Sequence, residues 1–171
     1  MNAKYEFVEG DEKVIALGRT VKRIRALVDI SYFVTPGALG GYIESEKCLD
    51  VYGDAWVYGD ALVTGNARVY GNARVYGDAQ VSGNAQVTGN ALVSGKGLIF
   101  WASNVGSEYG TMTVYNTKDN GLEVTRGCFQ GSVDKFLSAS EAKHDEQAHL
   151  EYRLLIEVAH SRITRARKDA K

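Results

Sequence analysis

The chain has 171 residues, of which 44% are hydrophobic and 24% charged, with a formal net charge of −1 at pH 7. That length fits one ordinary domain, or one repeat array with caps, and excludes two full-sized domains. The balanced charge excludes a long-range pull toward nucleic acid or an anionic membrane, so partners must be read from local surfaces.

The opening MNAKYEFVEGDEK lacks the apolar core of a signal peptide, and apolar runs such as residues 98–102 fall far short of the roughly 20 residues of a membrane span. A cytoplasmic protein is expected. KYEFV, KVIALG and TVKRIRALVDI alternate apolar and polar residues, with GDEK reading as a turn between the first two, so a small antiparallel β cap is predicted over residues 1–38. TPGALGGYIESEKCLD follows, with Leu39, Ile43 and Leu49 in approximate register with the repeats downstream. It reads as one degenerate lead-in coil entered by a sharp turn at Gly40-Gly41.

From Val51 the chain reads VYGDAW, VYGDAL, VTGNAR, VYGNAR, VYGDAQ, VSGNAQ, VTGNAL, VSGKGL. Valine opens every hexad, glycine is always third, Asn or Asp is fourth until Lys96, and alanine is fifth until Gly97. Six is a multiple of the two-residue strand period and not of the helical 3.6, so Val and Ala can face one side in every repeat only in an extended chain. β-Branched Val fills an interior, Ala leaves room where walls converge, and Gly-Asn or Gly-Asp tolerates the positive φ of a corner. Nineteen glycines against the single Pro36 fit that regular role. The array is placed at residues 39–100 as a parallel β-solenoid, with both ends in need of caps.

TMTVYNT, KDNG and LEVTRGCF then signal a β-hairpin region over residues 101–131. In the C-terminal helical region, residues 132–171, Ser132 is positioned to cap a short helix through Leu137. A longer helix is predicted from about Glu141 to Arg165, with Ala148, Tyr152, Leu155, Ile156, Ala159 and Ile163 forming one apolar stripe. Arg162, Arg165, Arg167 and Lys168 gather at its end, where cations complement exposed carbonyls. The four segments are expected to form one cooperative unit.

The hexads resemble the left-handed hexapeptide-repeat family, with an aliphatic residue first and a small one fifth; that resemblance implies a left-handed parallel β-helix with three hexads per coil. TVKRIRAL, GALGGYIESEKCLDVYGDAWVYGDA, the repeats and RGCFQGSVDKF before a C-terminal helix are together similar to a group of phage, prophage and bacterial hexapeptide-repeat proteins. These are mostly of unassigned function and often labelled transferases by fold alone. The likeness spans nearly the whole chain and supplies no catalytic residues.

Many left-handed β-helix proteins are trimeric acyltransferases that use acyl-CoA and a histidine base. The repeats here contain no histidine and no inserted loop; His144, His149 and His160 all fall in the helical region. A general base must sit on a rigid element within reach of its proton, so these read as surface helix residues. Cys48 and Cys128, far apart, read as reduced structural thiols with no disulfide or metal role, and no cofactor is indicated.

With three hexads per coil, residues eighteen apart stack. Tyr52 then neighbours Tyr70, Trp56 neighbours Arg74, Tyr58 neighbours Tyr76, and Asp60 neighbours Asp78, a like-charge pair needing Lys96 or a cation to offset it. The third face, with Thr64 over Ser82, Asn66 over Asn84 and Arg68 over Gln86, is polar. Exposed Tyr, Trp and Arg are enriched at binding hot spots, so Tyr52, Trp56, Tyr58, Arg68, Tyr70, Arg74 and Tyr76 are the candidate partner-binding residues. The expected protein is a non-catalytic binding or scaffold solenoid, a homo-oligomer with the trimer favoured. It would grip a host protein or sequester a small nucleotide-like ligand in a host-interference role. The alternatives are an acyl-CoA-dependent acyltransferase and a structural phage or filament component.

Overall fold

The computed structural model describes residues 4–169, which divide between Lys96 and Gly97 into two compact units. The described chain is mainly β, with two α-helices near its C-terminal end.

In the first unit, β1 (Tyr5–Val14) pairs antiparallel with β2 (Thr20–Ala26), and β2 pairs antiparallel with β3 (Leu39–Ile43). The GDEK segment is not the expected turn: it lies within β1, where the register slips between Phe7 and Glu12 and Gly10 takes φ +77°. The reversal comes later, at residues 15–19, with Ile15 N donating to the Arg19 carbonyl at 2.8 Å. On this sheet Tyr42 is held between two cations. Lys13 Nζ lies 3.9 Å and the Arg23 guanidinium carbon 4.3 Å from its ring centroid. Asp11 accepts from both Arg23 Nε, at 2.7 Å, and the Tyr42 hydroxyl, at 2.9 Å.

The hexads become two-residue strands, each joining the sixth residue of one hexad to the valine of the next: β4 (Trp56–Val57), β5 (Leu62–Val63), β6 (Arg68–Val69), β7 (Arg74–Val75), β8 (Gln80–Val81), β9 (Gln86–Val87) and β10 (Leu92–Val93). They form parallel ladders β4-β7-β10, β3-β5-β8 and β6-β9, and within the hexads every partner lies eighteen residues on, as in Trp56 with Arg74 and Arg68 with Gln86. The valines at 57, 63, 69, 75, 81, 87 and 93 are fully buried, as are the alanines from Ala55 to Ala91. Complete burial of a valine side chain contributes roughly 1.5–3 kcal/mol, so this interior column drives folding. Each corner glycine from Gly53 to Gly89 has φ between +62° and +70°.

The start of the array departs from the sequence reading. Ile43 pairs with Val63 and Leu49 bridges Val69, an offset of twenty rather than eighteen. Leu49 therefore takes the interior place above Val69, and Val51, 38% exposed, is displaced from the core; Leu39 is exposed as well. Gly40 and Gly41 are not a turn but part of β3. A Cβ on Gly40 would lie 2.7 Å from the Val57 carbonyl oxygen, and one on Gly41 2.8 Å from that of Ala61, so glycine here permits close approach of backbones.

The second unit has one antiparallel sheet of β11 (Ile99–Val105), β12 (Gly110–Asn116), β13 (Leu122–Arg126) and β14 (Phe129–Ser132). The hairpin expected from TMTVYNT and LEVTRGCF is its β12–β13 centre. Helix α1 (Val133–Lys143) begins as predicted at Ser132, whose hydroxyl accepts from Lys135 N, but runs well past Leu137. Helix α2 (Glu146–Asp169) starts later than Glu141, because the Asp145 carboxylate caps it by accepting from Ala148 N at 2.8 Å. Ala148, Tyr152, Ile156, Ala159 and Ile163 form its buried stripe, packed on β11 and β12, while Leu155 is only half-buried. No helix among the described residues is long and apolar enough to cross a membrane.

Candidate functional site

The segment between β2 and β3 folds back on itself. Ala26 N donates to the Ala38 carbonyl and Gly37 N, at φ +87°, to the Ala26 carbonyl; Ile30 N donates to the Val34 carbonyl at 2.8 Å across a tip where Ser31 has φ +57°. The tip holds Tyr32 and Phe33 outward, 100% and 72% exposed. The Phe33 ring reaches Arg74 of β7, whose guanidinium carbon lies 4.5 Å from the ring centroid. Trp56 of β4 is the strand neighbour of Arg74. Together Phe33, Trp56, Tyr58, Arg74, Asp54 and Leu39 line a cleft of about 380 Å³, within the size range of small-ligand sites.

Trp56 and Tyr58 are less exposed than an open aromatic surface requires. Trp56 is only 2% exposed: Tyr5 meets it edge-on at 6.3 Å, and the backbone of Gly40 lies against its ring. It is the cleft's floor and not an exposed anchor. Tyr58 stacks on Tyr76 with ring centroids 5.0 Å apart and planes 2° from parallel. Burial raises the Tyr58 hydroxyl above the ordinary tyrosine pKa, Tyr76 adding to the shift and Arg74 opposing it. It therefore stays a protonated donor at neutral pH.

Lys4 is buried and donates to the carbonyls of Ala55, at 2.7 Å, and Asp50, at 3.0 Å. Burial lowers its pKa to about 8, with the charges of Asp50 and Asp54 acting in the opposite direction. The cleft lining thus includes a cation on an aromatic face, Arg74 on Phe33, and an exposed carboxylate, Asp54.

The remaining predicted residues are not brought to this cleft. Arg68 lies 5.6 Å from the Tyr70 ring centroid and borders a separate cavity of about 440 Å³ with Leu49, Asp50 and Val51. The Tyr70 hydroxyl donates to Gln86 Oε1 at 3.2 Å and is raised in pKa by burial, with Arg68 and Thr88 opposing. Tyr52 is 79% exposed. The predicted seven therefore divide between at least two surfaces. Phe33 and Asp54 were missed; the consecutive aromatics of SYFV, in a segment without a repeat period, were the available signal. Asp60 pairs with Lys13, whose Nζ is 3.0 Å from Asp60 Oδ1; that hydrogen bond raises the Lys13 pKa.

Two stretches of the array match a known repeat family. The profile described as YdcK Beta solenoid repeat matches residues 67–83 and again residues 79–97. The centre of this chain is a β-solenoid. The matched residues contain the interior valines 69–93 and the eighteen-residue pairings of β6 with β9 and β7 with β10. A comparison with curated proteins finds no match.

No cluster of three His, Cys, Asp or Glu side chains able to hold a metal occurs among the described residues. Cys48 is buried, its thiol directed at the Gly65 carbonyl, and Cys128 is exposed. His144, His149 and His160 belong to the second unit, with His149 Nδ1 3.2 Å from Ser140 Oγ.

Proposed function

We propose that this protein is a non-catalytic solenoid binding protein that holds a small nucleotide-like ligand in the cleft between Phe33 and the Trp56–Arg74 pair. The observation that carries this reading is the Arg74 guanidinium on the Phe33 ring, in a cleft that Trp56, Tyr58 and Asp54 also line. Such a site suits a flat ring with an anionic group at one end. Base–aromatic stacking contributes about 1–3 kcal/mol per base, the planar guanidinium matches phosphate oxygens in pairs, and Asp54 accepts from ring N–H or sugar O–H donors.

The pairings at eighteen residues support three hexads per coil, which with the family likeness favours a left-handed helix. The same likeness favours a homotrimer and a phage-derived role in which ligand capture interferes with the host. A second reading, capture of a host protein, is favoured by the exposed Leu27, Val28, Tyr32 and Phe33 around the tip. The acyltransferase alternative finds less support, since no histidine or cysteine is among the described residues lining this cleft.

Calorimetric titration of the full chain with a nucleoside monophosphate, the matching nucleoside and inorganic phosphate tests the reading. One saturable site for the monophosphate is expected, weakened tenfold or more by Arg74→Gln, while Phe33→Ala weakens nucleoside and monophosphate alike. Affinity indifferent to both substitutions, or no binding, would overturn it. Acetyl-CoA turnover abolished by replacing one histidine would favour the enzyme.

A further inference from the structure

The Phe33 cleft carries one carboxylate that the array does not require. Asp54 holds the fourth, corner place of its hexad, and in the two other hexads that lead into the ladder β4-β7-β10 that place is held by Asn72 and Asn90. An amide therefore serves this corner as well as a carboxylate does. Asp54 is exposed, and no hydrogen bond or ion pair among the described residues occupies its side chain. Lys4, the buried cation that interacts with it electrostatically, donates to the backbone carbonyls of Asp50 and Ala55. Asp60, at the next corner, is by contrast engaged by Lys13.

The same cleft holds the Arg74 guanidinium, which lies on the Phe33 ring and forms no ion pair with Asp54 among the described residues. Asp54 precedes the floor residue Trp56 by two positions, and Arg74 is the strand partner of Trp56. A free acceptor and a free cation thus share one aromatic floor. An ionised carboxylate only accepts, and it takes two parallel N–H donors at once, as it does from a guanidinium. Among the common nucleobases only guanine offers such a pair on its pairing edge, N1–H beside the N2 amino group. Adenine sets one donor beside the N1 lone pair, cytosine sets one beside N3, and uracil holds N3–H between two carbonyls. Each of these turns a lone pair toward the second carboxylate oxygen.

We infer that the cleft selects guanine among nucleobases, with Asp54 as the residue that determines the choice. The Asp54 carboxylate accepts from N1–H and the N2 amino group of a ring stacked on Phe33, and Arg74 meets the phosphate. This rests on the reading of the cleft as a mononucleotide site and adds to it the identity of the base.

Calorimetric titration of the full chain with guanosine, inosine and adenosine 5′-monophosphates tests the assignment. The guanosine form should bind at least tenfold tighter than the adenosine form, as hydrogen bonds to a charged group imply. The inosine form, which keeps N1–H and lacks the N2 amino group, should fall between them. Asp54→Asn should close the gap between the guanosine and adenosine forms to under threefold. Because asparagine already holds the equivalent corners at 72 and 90, this variant keeps the turn. Arg74→Gln should weaken all three ligands and preserve their order. Equal affinity for the guanosine and adenosine forms, at a site that still needs Arg74 and Phe33, would overturn the base assignment and leave the mononucleotide reading standing. Discrimination that survives Asp54→Asn, or an Asp54→Asn loss reproduced by removing the ribose 2′-hydroxyl, would overturn it in the same way. Absence of binding by all three ligands would overturn both.

Discussion

Two glycines of the first unit separate backbone conformation from coil stacking. Gly10 and Gly77 have φ of +77° and +65°, a region that costs an L-residue about 1–2 kcal/mol. A Cβ on Gly10 would meet nothing within 4 Å, but one on Gly77 would fall under 3.0 Å from the Ser94 carbonyl oxygen on the next turn of the array. That oxygen belongs to backbone and cannot swing away, so the turns must separate, an overpacking strain of about 1–3 kcal/mol. Gly10→Ala should thus destabilise by about 1–2 kcal/mol and Gly77→Ala by about 2–5 kcal/mol. Urea unfolding followed by far-ultraviolet circular dichroism measures both. Equal losses at the two positions would refute the stacking argument, because the turn conformation alone would then explain the need for glycine.

Other predictions follow from burial and charge. Val75→Ala removes two buried methyls from the interior column and should cost about 1–3 kcal/mol, whereas Val51→Ala, outside it, should stay within about 0.5 kcal/mol. Comparable losses in a denaturation series would restore Val51 to the core. For Lys4 the folded pKa of about 8 lies below the unfolded 10.5, so the unfolded chain binds more protons between those values. Stability from this group should rise as pH climbs from about 8 toward 10.5 and be flat below, and Lys4→Met should lose that rise. Parallel pH profiles for the two proteins would contradict the assignment. Lys13→Ala, at an exposed pair, should change stability by less than about 1 kcal/mol, checked by thermal melting.

The interior of the array was legible because Val and Ala recur at a period only an extended chain can use, and the three hexads per coil that the family resemblance implied placed the eighteen-residue neighbours Trp56–Arg74 and Tyr58–Tyr76 together. The exposure of those neighbours was not legible. Trp56 is covered by Tyr5 and Gly40, distant in sequence, and nothing in the hexad VYGDAW announces that cover. Val51 misled because it satisfies the repeat pattern, while the twenty-residue offset of the lead-in coil assigns its place to Leu49. The start of the long helix was readable in principle, since Asp145 followed by Glu146 is a capping signal and the apolar stripe begins only at Ala148. Phe33 lies outside any repeat, so its approach to Arg74 depends on tertiary folding alone.

The central claim is that the Phe33–Arg74 cleft holds a flat anionic ligand. Its most direct test is the set of intermolecular nuclear Overhauser effects between a bound nucleoside monophosphate and the full chain. Contacts from the base protons to the rings of Phe33 and Tyr58 are expected; contacts confined to Tyr52 and Tyr70, or none at saturation, would contradict it.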